Sequence, residues 1–431
     1  MSLLDKSEAI RIKSFLINNP VAPGVYSHFI NVGTNHIIDT LEENYFKTEL
    51  PLGISCFKYL QGYYGSGKSQ FINSLAASAW KNDIVTSIVN VGNECPFNSP
   101  LAIYQAVVSS FLPPPEPGKE PGTKRGIEII VKYYINKQIK QYGVEPGNSL
   151  PQTVRDLVEQ PFRENFDGAP DSDMARGMRL LGKVMLNGAC GADRSPADED
   201  LISWARGDKI SNSSLKTLGL HSSANDNNSF KRLKTLIMFM TERMGVKGFF
   251  IAFDEGARTV SFRRGSIKQK QAIENMLTMI NDGADGKFPG VMFLYAATPD
   301  FRNDVIQKYP ALNDRIGDIA FRPGSPMVPF IDLDILDTRS IVREIGKKLL
   351  EVFSVATGVQ WDSSLQKANI ECLLNAEDKR YGMGAEIRRS FVYHFCLFLG
   401  LQIKGQFELT DEDAEAFIVD HQLPGSDNED E

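Results

Sequence analysis

The chain has 431 residues, 42% of them hydrophobic and 23% charged, which is the composition of a soluble globular protein long enough for two or three domains. Its formal net charge is −7, so it lacks the basic excess of a freely acting nucleic-acid binder, and any contact with DNA must come from local patches or partner subunits. No apolar run reaches the twenty or so residues of a membrane span, and Met1–Ala9 lacks the apolar core of a secretory signal. The five cysteines and five histidines are scattered and outline neither a disulfide framework nor a zinc site, which fits a reducing cytoplasm.

Residues 1–52 precede the first strand. Ala9, Ile10, Ile12, Phe15 and Leu16 predict an amphipathic helix that stops at Asn18, Asn19 and Pro20. Pro23-Gly24 turns the chain, and Val32-Gly33-Thr34 leads into a second helix carrying Ile37, Ile38 and Leu41. This segment either packs beside a bound base or serves structure alone.

Cys56, Phe57, Tyr59 and Leu60 then read as a short buried strand, and Phe71, Ile72, Leu75, Ala76 and Ala79 recur at helical spacing. Between them lies Gly62-Tyr63-Tyr64-Gly65-Ser66-Gly67-Lys68-Ser69, which fits G-x-x-x-x-G-K-[ST], the phosphate-cradling P-loop. The glycines let the backbone wrap a β-phosphate, and the amides at the helix start, from Gly67 to Gln70, point at the anion. Lys68 would bridge the β- and γ-phosphates, and the Ser69 hydroxyl would hold Mg²⁺. The motif predicts an ATP site.

Residues 84–91 are rich in β-branched side chains and predict a second strand that Asn93-Glu94 closes, followed by a helix from Ala102 to Phe111. The run from Pro113 to Gly118 marks the start of a mostly helical insertion over 113–229. Within it, Ile127, Ile130, Val131, Tyr134, Ile135, Ile139 and Tyr142 line one helical face and Lys132, Lys137 and Lys140 the other, which faces either DNA, a partner or plain solvent. Residues 167–175 and 222–229 read as loops.

Helical spacing returns through Leu233, Leu236, Ile237 and Met240, and residues 248–253 form an apolar strand that ends in Asp254-Glu255. A buried strand closing on two acids is the Walker B arrangement: Asp254 would hold the Mg²⁺ shell and Glu255 would orient the attacking water. Arg258, Arg263, Arg264, Lys268 and Lys270 follow as a basic stretch, open to DNA, to a neighbouring nucleotide or to solvent. A fourth predicted strand, the apolar run Val291–Ala297, ends at Thr298, where a sensor group would meet the γ-phosphate. Arg315 precedes a fifth predicted strand, 318–321, and is either an arginine finger for a neighbouring subunit or a structural ion-pair partner.

Residues 323–329 read as a linker, and 326–424 as a helical lid with helices over 341–353, 365–376, 387–401 and 411–419. Arg388, ahead of Arg389, would reach the nucleotide from the lid. The tail, 425–431, is acidic. The predicted fold is α/β, a P-loop core of five parallel strands over 53–112 and 230–325, with the insertion and the lid.

These landmarks resemble one family. The P-loop octet, the strand ending in Asp254-Glu255, Phe288-Pro289-Gly290, Ala297-Thr298-Pro299-Asp300-Phe301, Tyr309-Pro310-Ala311-Leu312 with Asp314-Arg315, and Trp204-Ala205-Arg206-Gly207 are similar to the BrxD-like ATP-binding proteins of BREX-type phage-defence systems. That group is AAA+, related to origin-recognition and STAND ATPases. Tyr63 stands where the family has Glu, Ala257 where it often has an acid, and Ala385 where a lid Pro-Arg-Glu pattern has Arg. The resemblance implies ATP-dependent work with other defence-system proteins on double-stranded DNA, with a homo-oligomer through the nucleotide site if Arg315 is a finger. The alternative is a nucleotide-dependent switch or scaffold with little hydrolysis of its own.

Overall fold

The computed structural model describes residues 4–18, 22–92, 95–116, 119–147, 149–255, 264–384 and 386–422, without the Glu255 side chain. Asn19-Pro20, Asn93-Glu94, Pro117-Gly118, Ala257, Arg258, Arg263, Ala385 and the acidic tail lie outside the described residues.

The centre is a six-stranded sheet of β1 (Cys56–Gln61), β2 (Val85–Val91), β3 (Phe111–Leu112), β4 (Phe249–Glu255), β5 (Val291–Ala297) and β6 (Phe330–Asp332), in the order β3-β2-β4-β5-β1-β6. All pairings are parallel except β2 with the two-residue β3. The five-strand expectation is thus corrected: β3 caps one edge, because Phe111 and Leu112 are buried and can pair for only two residues beside Ser87 and Thr86.

The central strands are apolar throughout because helices cover both faces of the sheet. Successive side chains leave a strand in opposite directions, and each strand therefore feeds two cores. Phe249, Ile251 and Phe253 of β4 and Phe293 and Tyr295 of β5 join a large core shared with the helices Pro100–Ser110, Ile127–Gln141, Ser172–Ala189, Ser229–Met244 and Ile267–Ala284. Phe250 and Ala252 with Met292 and Leu294 face the opposite way, onto the helix Lys68–Lys81 and the segment 37–50. The 113–229 stretch is helical, and its apolar faces are continuous with the sheet's own core.

Three local expectations change. Residues 318–321 are not a strand; the fifth parallel strand is β6, inside the stretch read as lid, and Phe321 instead donates its amide to Phe330 O. The helix Ser172–Ala189 begins within 167–175, because the Asp171 side chain accepts from Met174 N and caps it. Tyr142, placed on the apolar face, is 48% exposed just past the end of the helix Ile127–Gln141. On that helix's other face, Lys137 and Lys140 pair with Asp83 and Glu116, each at 2.5 Å.

A third core joins the lid helices Thr338–Thr357, Ser363–Tyr381, Glu386–Leu401 and Asp411–Asp420 to the N-terminal helix Lys6–Asn18, through Ala9, Ile12 and Leu16. The N-terminal helix is therefore packed on the lid. Ile10 and Phe15, read as part of its apolar face, are exposed. No described helix is long and apolar enough to cross a membrane.

Candidate functional site

The parallel strands all point their carboxyl ends at one edge of the sheet, where α/β proteins place ligands. Gly62 follows β1, Asp254 lies in the last turn of pleat of β4, and Thr298 follows β5. The register pairs Gln61 with both Ala297 and Asp332, so the ends of β1, β5 and β6 are level.

The loop from Gly62 to Gly67 turns back tightly on itself. A Cβ on Gly62 would stand 2.1 Å from Ser66 Oγ, and Gly65 and Gly67 have φ of 79° and 96°, which favour glycine. Gly67 occupies the N-cap of the helix Lys68–Lys81 without a side-chain cap, so the first-turn amides stay open to an anion. Lys68 Nζ donates to the carbonyl oxygens of Gly62 and Tyr63, at 2.7 and 3.0 Å, which holds the ammonium over the loop. Ser69 Oγ donates to Asp254 Oδ2 at 2.5 Å, joining the loop to β4. Burial raises the Asp254 pKa, while the Ser69 hydroxyl and the Lys68 charge pull it back.

A cleft of about 270 Å³ opens in front of the loop. Its polar end is Tyr64–Gln70 with Asp254, Arg388 and Arg389. Its apolar end is Leu16, Ile30 and Val32 from the N-terminal segment, facing Ile341, Ile345 and Val392 from the lid. Such a shape, apolar slot beside an anion cradle, suits a nucleotide. Gly33 keeps the two walls close: its φ is 79°, and a Cβ there would meet Ile341 at 2.8 Å. Gln70 ties the loop helix to the N-terminal segment through Ser27 O, at 2.5 Å.

From the lid, Arg388 Nη1 donates to Ser66 O at 2.6 Å and Nη2 to Thr338 Oγ1 at 3.1 Å. Burial lowers the Arg388 pKa, opposed by the charge of Asp334. Arg389 Nη1 donates to Tyr64 OH at 2.7 Å. Ser66 Oγ, Arg388 Nε and Arg389 Nε are buried without a hydrogen-bond partner among the described residues. The cleft therefore offers donors to an anion, and the residues fit a triphosphate. The paired oxygens of Ser69 and Asp254 fit Mg²⁺, which keeps waters and phosphate oxygens for its other positions.

The structure brings together the loop, Asp254 and Arg388. Glu255 closes β4 opposite Val91, and its side chain lies outside the described residues. Thr298 is half-buried at the end of β5, and its carbonyl oxygen accepts from Tyr59 OH at 3.5 Å. Arg315 is exposed, does not line the cleft, and donates Nε to Asn281 Oδ1 at 3.1 Å. Sequence reasoning missed Asp332 and Asp334. Asp334 accepts the Tyr63 amide, and the one available signal was an acidic pair at a strand end level with β1.

No curated protein matches the chain. Residues 16–406, which include every residue of the cleft wall, match the family model for the BREX system ATP-binding protein BrxC/D. The chain belongs to this family of BREX system ATP-binding proteins, which gives it an ATP-binding role in phage defence.

Proposed function

We propose that the protein is an AAA+-type P-loop ATPase that hydrolyses Mg-ATP in the cleft and couples turnover to the engagement of double-stranded DNA by a cytoplasmic defence complex. The observation that carries this reading is the Ser69–Asp254 hydrogen bond, which holds a hydroxyl and a carboxylate together beside the loop, the oxygen pair that a magnesium ion would need. The amides of Gly65–Ser69 bind the phosphates and Lys68 leaves its loop carbonyls for them. The apolar slot between Val32 and Ile341 takes the base. Magnesium, when bound, neutralises charge on the phosphate oxygens. Glu255 accepts the proton of the attacking water, Thr298 orients that water from the end of β5, and Arg388 steadies the phosphates from the lid. Arg315, which does not line its own cleft, serves a neighbouring subunit.

Phosphate release by the purified chain, with and without double-stranded DNA, tests this. DNA-stimulated turnover that Lys68→Ala and Glu255→Gln both abolish is expected. Undiminished turnover in Glu255→Gln overturns the base assignment.

A second reading is favoured by the contact of the lid on the loop, Arg388 to Ser66 O and Arg389 to Tyr64 OH. Nucleotide binding then sets a lid position that partner proteins read, with little hydrolysis. Tight ATP binding without turnover under any condition selects it.

A further inference from the structure

The Gly62–Tyr63 peptide is gripped at both polar ends by opposite charges. Its carbonyl oxygen accepts from Lys68 Nζ at 2.7 Å, and its N–H donates to Asp334 Oδ1 and Oδ2, at 3.1 and 3.2 Å. Asp334 comes from the segment after β6 and is itself oriented. Its own N–H donates to Asp332 Oδ1 at 2.9 Å, while Asp332 Oδ2 accepts from Gln61 Nε2 at 3.3 Å and Leu333 N donates to Gln61 O at 3.0 Å. Residues 332–334 are thereby bonded to the strand end from which the loop departs. Among the described residues Asp334 forms no ion pair within 4.0 Å, although it is half-buried and its charge acts on Lys68 and Arg388. Burial disfavours its charged form, and both of its acceptor oxygens are turned on a single loop amide.

We propose that Asp334 is a positioning residue for the glycine-rich loop, fixing the Gly62–Tyr63 peptide so that the following amides are preset for the phosphates of ATP. This rests on the reading of the loop as the phosphate site. Two effects of Asp334 oppose each other. Its acceptor oxygen shapes the loop, whereas its negative charge repels an anionic ligand. Asparagine keeps the acceptor and removes the charge; alanine removes both.

The test is equilibrium titration of the full chain with a fluorescent N-methylanthraniloyl ATP, for the unsubstituted protein, Lys68→Ala, Asp334→Ala and Asp334→Asn, with thermal unfolding of each. Asp334→Ala is expected to bind about tenfold more weakly, the factor that about 1.4 kcal/mol represents, and Asp334→Asn to bind at least as tightly as the unsubstituted protein. A merely structural aspartate would lower the thermal stability of Asp334→Ala and leave the affinity of the folded protein unchanged. If Asp334→Ala does not fold, Asp334→Gln, which carries its acceptor on a longer arm, takes its place and is expected to bind weakly. Unsubstituted affinity in Asp334→Ala (or in Asp334→Gln), or equal weakness in Asp334→Ala and Asp334→Asn, overturns the positioning role alone. No ATP binding by the unsubstituted protein, or none lost in Lys68→Ala, overturns the reading of the loop itself.

Discussion

Arg388 Nη1 lies 2.6 Å from the main-chain oxygen of Ser66, so a lid guanidinium is bonded directly to the glycine-rich loop. One planar group also reaches Thr338 Oγ1, at 3.1 Å, and thus bridges the loop and two lid helices. Hydrogen bonds from a charged donor are worth roughly 1.5–3 kcal/mol, and a lysine offers no fork with which to make both. Arg388→Ala is expected to weaken ATP binding by about tenfold or more, and Arg388→Lys by less. Fluorescent ATP titration checks this; unaltered affinity in Arg388→Ala separates the lid from nucleotide binding.

The Ser69–Asp254 contact makes a prediction about the metal. Replacing Asp254 with Asn removes a charge that burial already disfavours, and with it the stronger oxygen donor of the proposed metal site. Asp254→Asn is expected to bind ATP in EDTA as well as the unsubstituted protein does, and to lose the tightening that Mg²⁺ brings. Titration with and without Mg²⁺ decides it. An equal magnesium effect in both proteins removes Asp254 from the metal site.

Some of this site is legible in the sequence for a plain reason. β4 and β5 are buried on both faces, so they appear as unbroken apolar runs, and the loop and Asp254 sit at fixed positions relative to them. Arg388 is legible because a lid helix starting at Glu386 presents the residues of its first turn together. β6 is hidden by its length: three residues after Pro329 carry too little periodicity, while Asp318–Phe321 nearby mimics a strand. Asp332 and Asp334 are hidden with it, since their partners in space, Gln61 at the end of β1 and Tyr63 in the loop, each lie 271 positions away. The partner of the helix Lys6–Asn18 is equally hidden. Ala9, Ile12 and Leu16 announce an apolar face, and nothing in their spacing says that a lid more than 300 residues later covers it.

Gly33 couples that N-terminal segment to the apolar slot of the cleft. Its φ of 79° is strained for any L side chain, and a Cβ would come within 2.8 Å of Ile341 Cδ1 and Cγ1. Ile341 can yield at its far end, but the backbone strain remains at about 1 kcal/mol. Because Val32 and Thr34 line the cleft on either side of Gly33, a shift there widens the slot. Gly33→Ala is expected to lower stability by roughly 1–2 kcal/mol and to weaken ATP binding several-fold. Urea unfolding and ATP titration read the two effects separately. A change in stability with no change in affinity dissociates Gly33 from the base slot.

Lys58 gives the fold a pH dependence of unusual sign for the alkaline range. It lies fully buried on β1, with Nζ donating to Tyr45 OH at 2.9 Å, Pro326 O at 2.6 Å and Val328 O at 3.1 Å, and sits 4.5 Å from the centre of the Tyr45 ring. No carboxylate pairs with it within 4.0 Å among the described residues. Burial pushes its pKa from 10.5 down to about 8, against the smaller upward effects of Cys56 and Glu49. The folded chain therefore releases this proton before the unfolded chain does. Between about pH 8 and 10.5 the unfolded state binds more protons, so stability from this group rises with pH through that window and is lost again as pH falls. The full difference is on the order of 3 kcal/mol. Lysine-to-methionine replacement at this position removes the titrating group while keeping its length. Urea midpoints measured at several pH values across this window are expected to fall less steeply, or to rise, in the unsubstituted protein relative to Lys58→Met, whose curve lacks the contribution. Parallel curves for the two proteins would show that Lys58 titrates alike in the folded and unfolded chains.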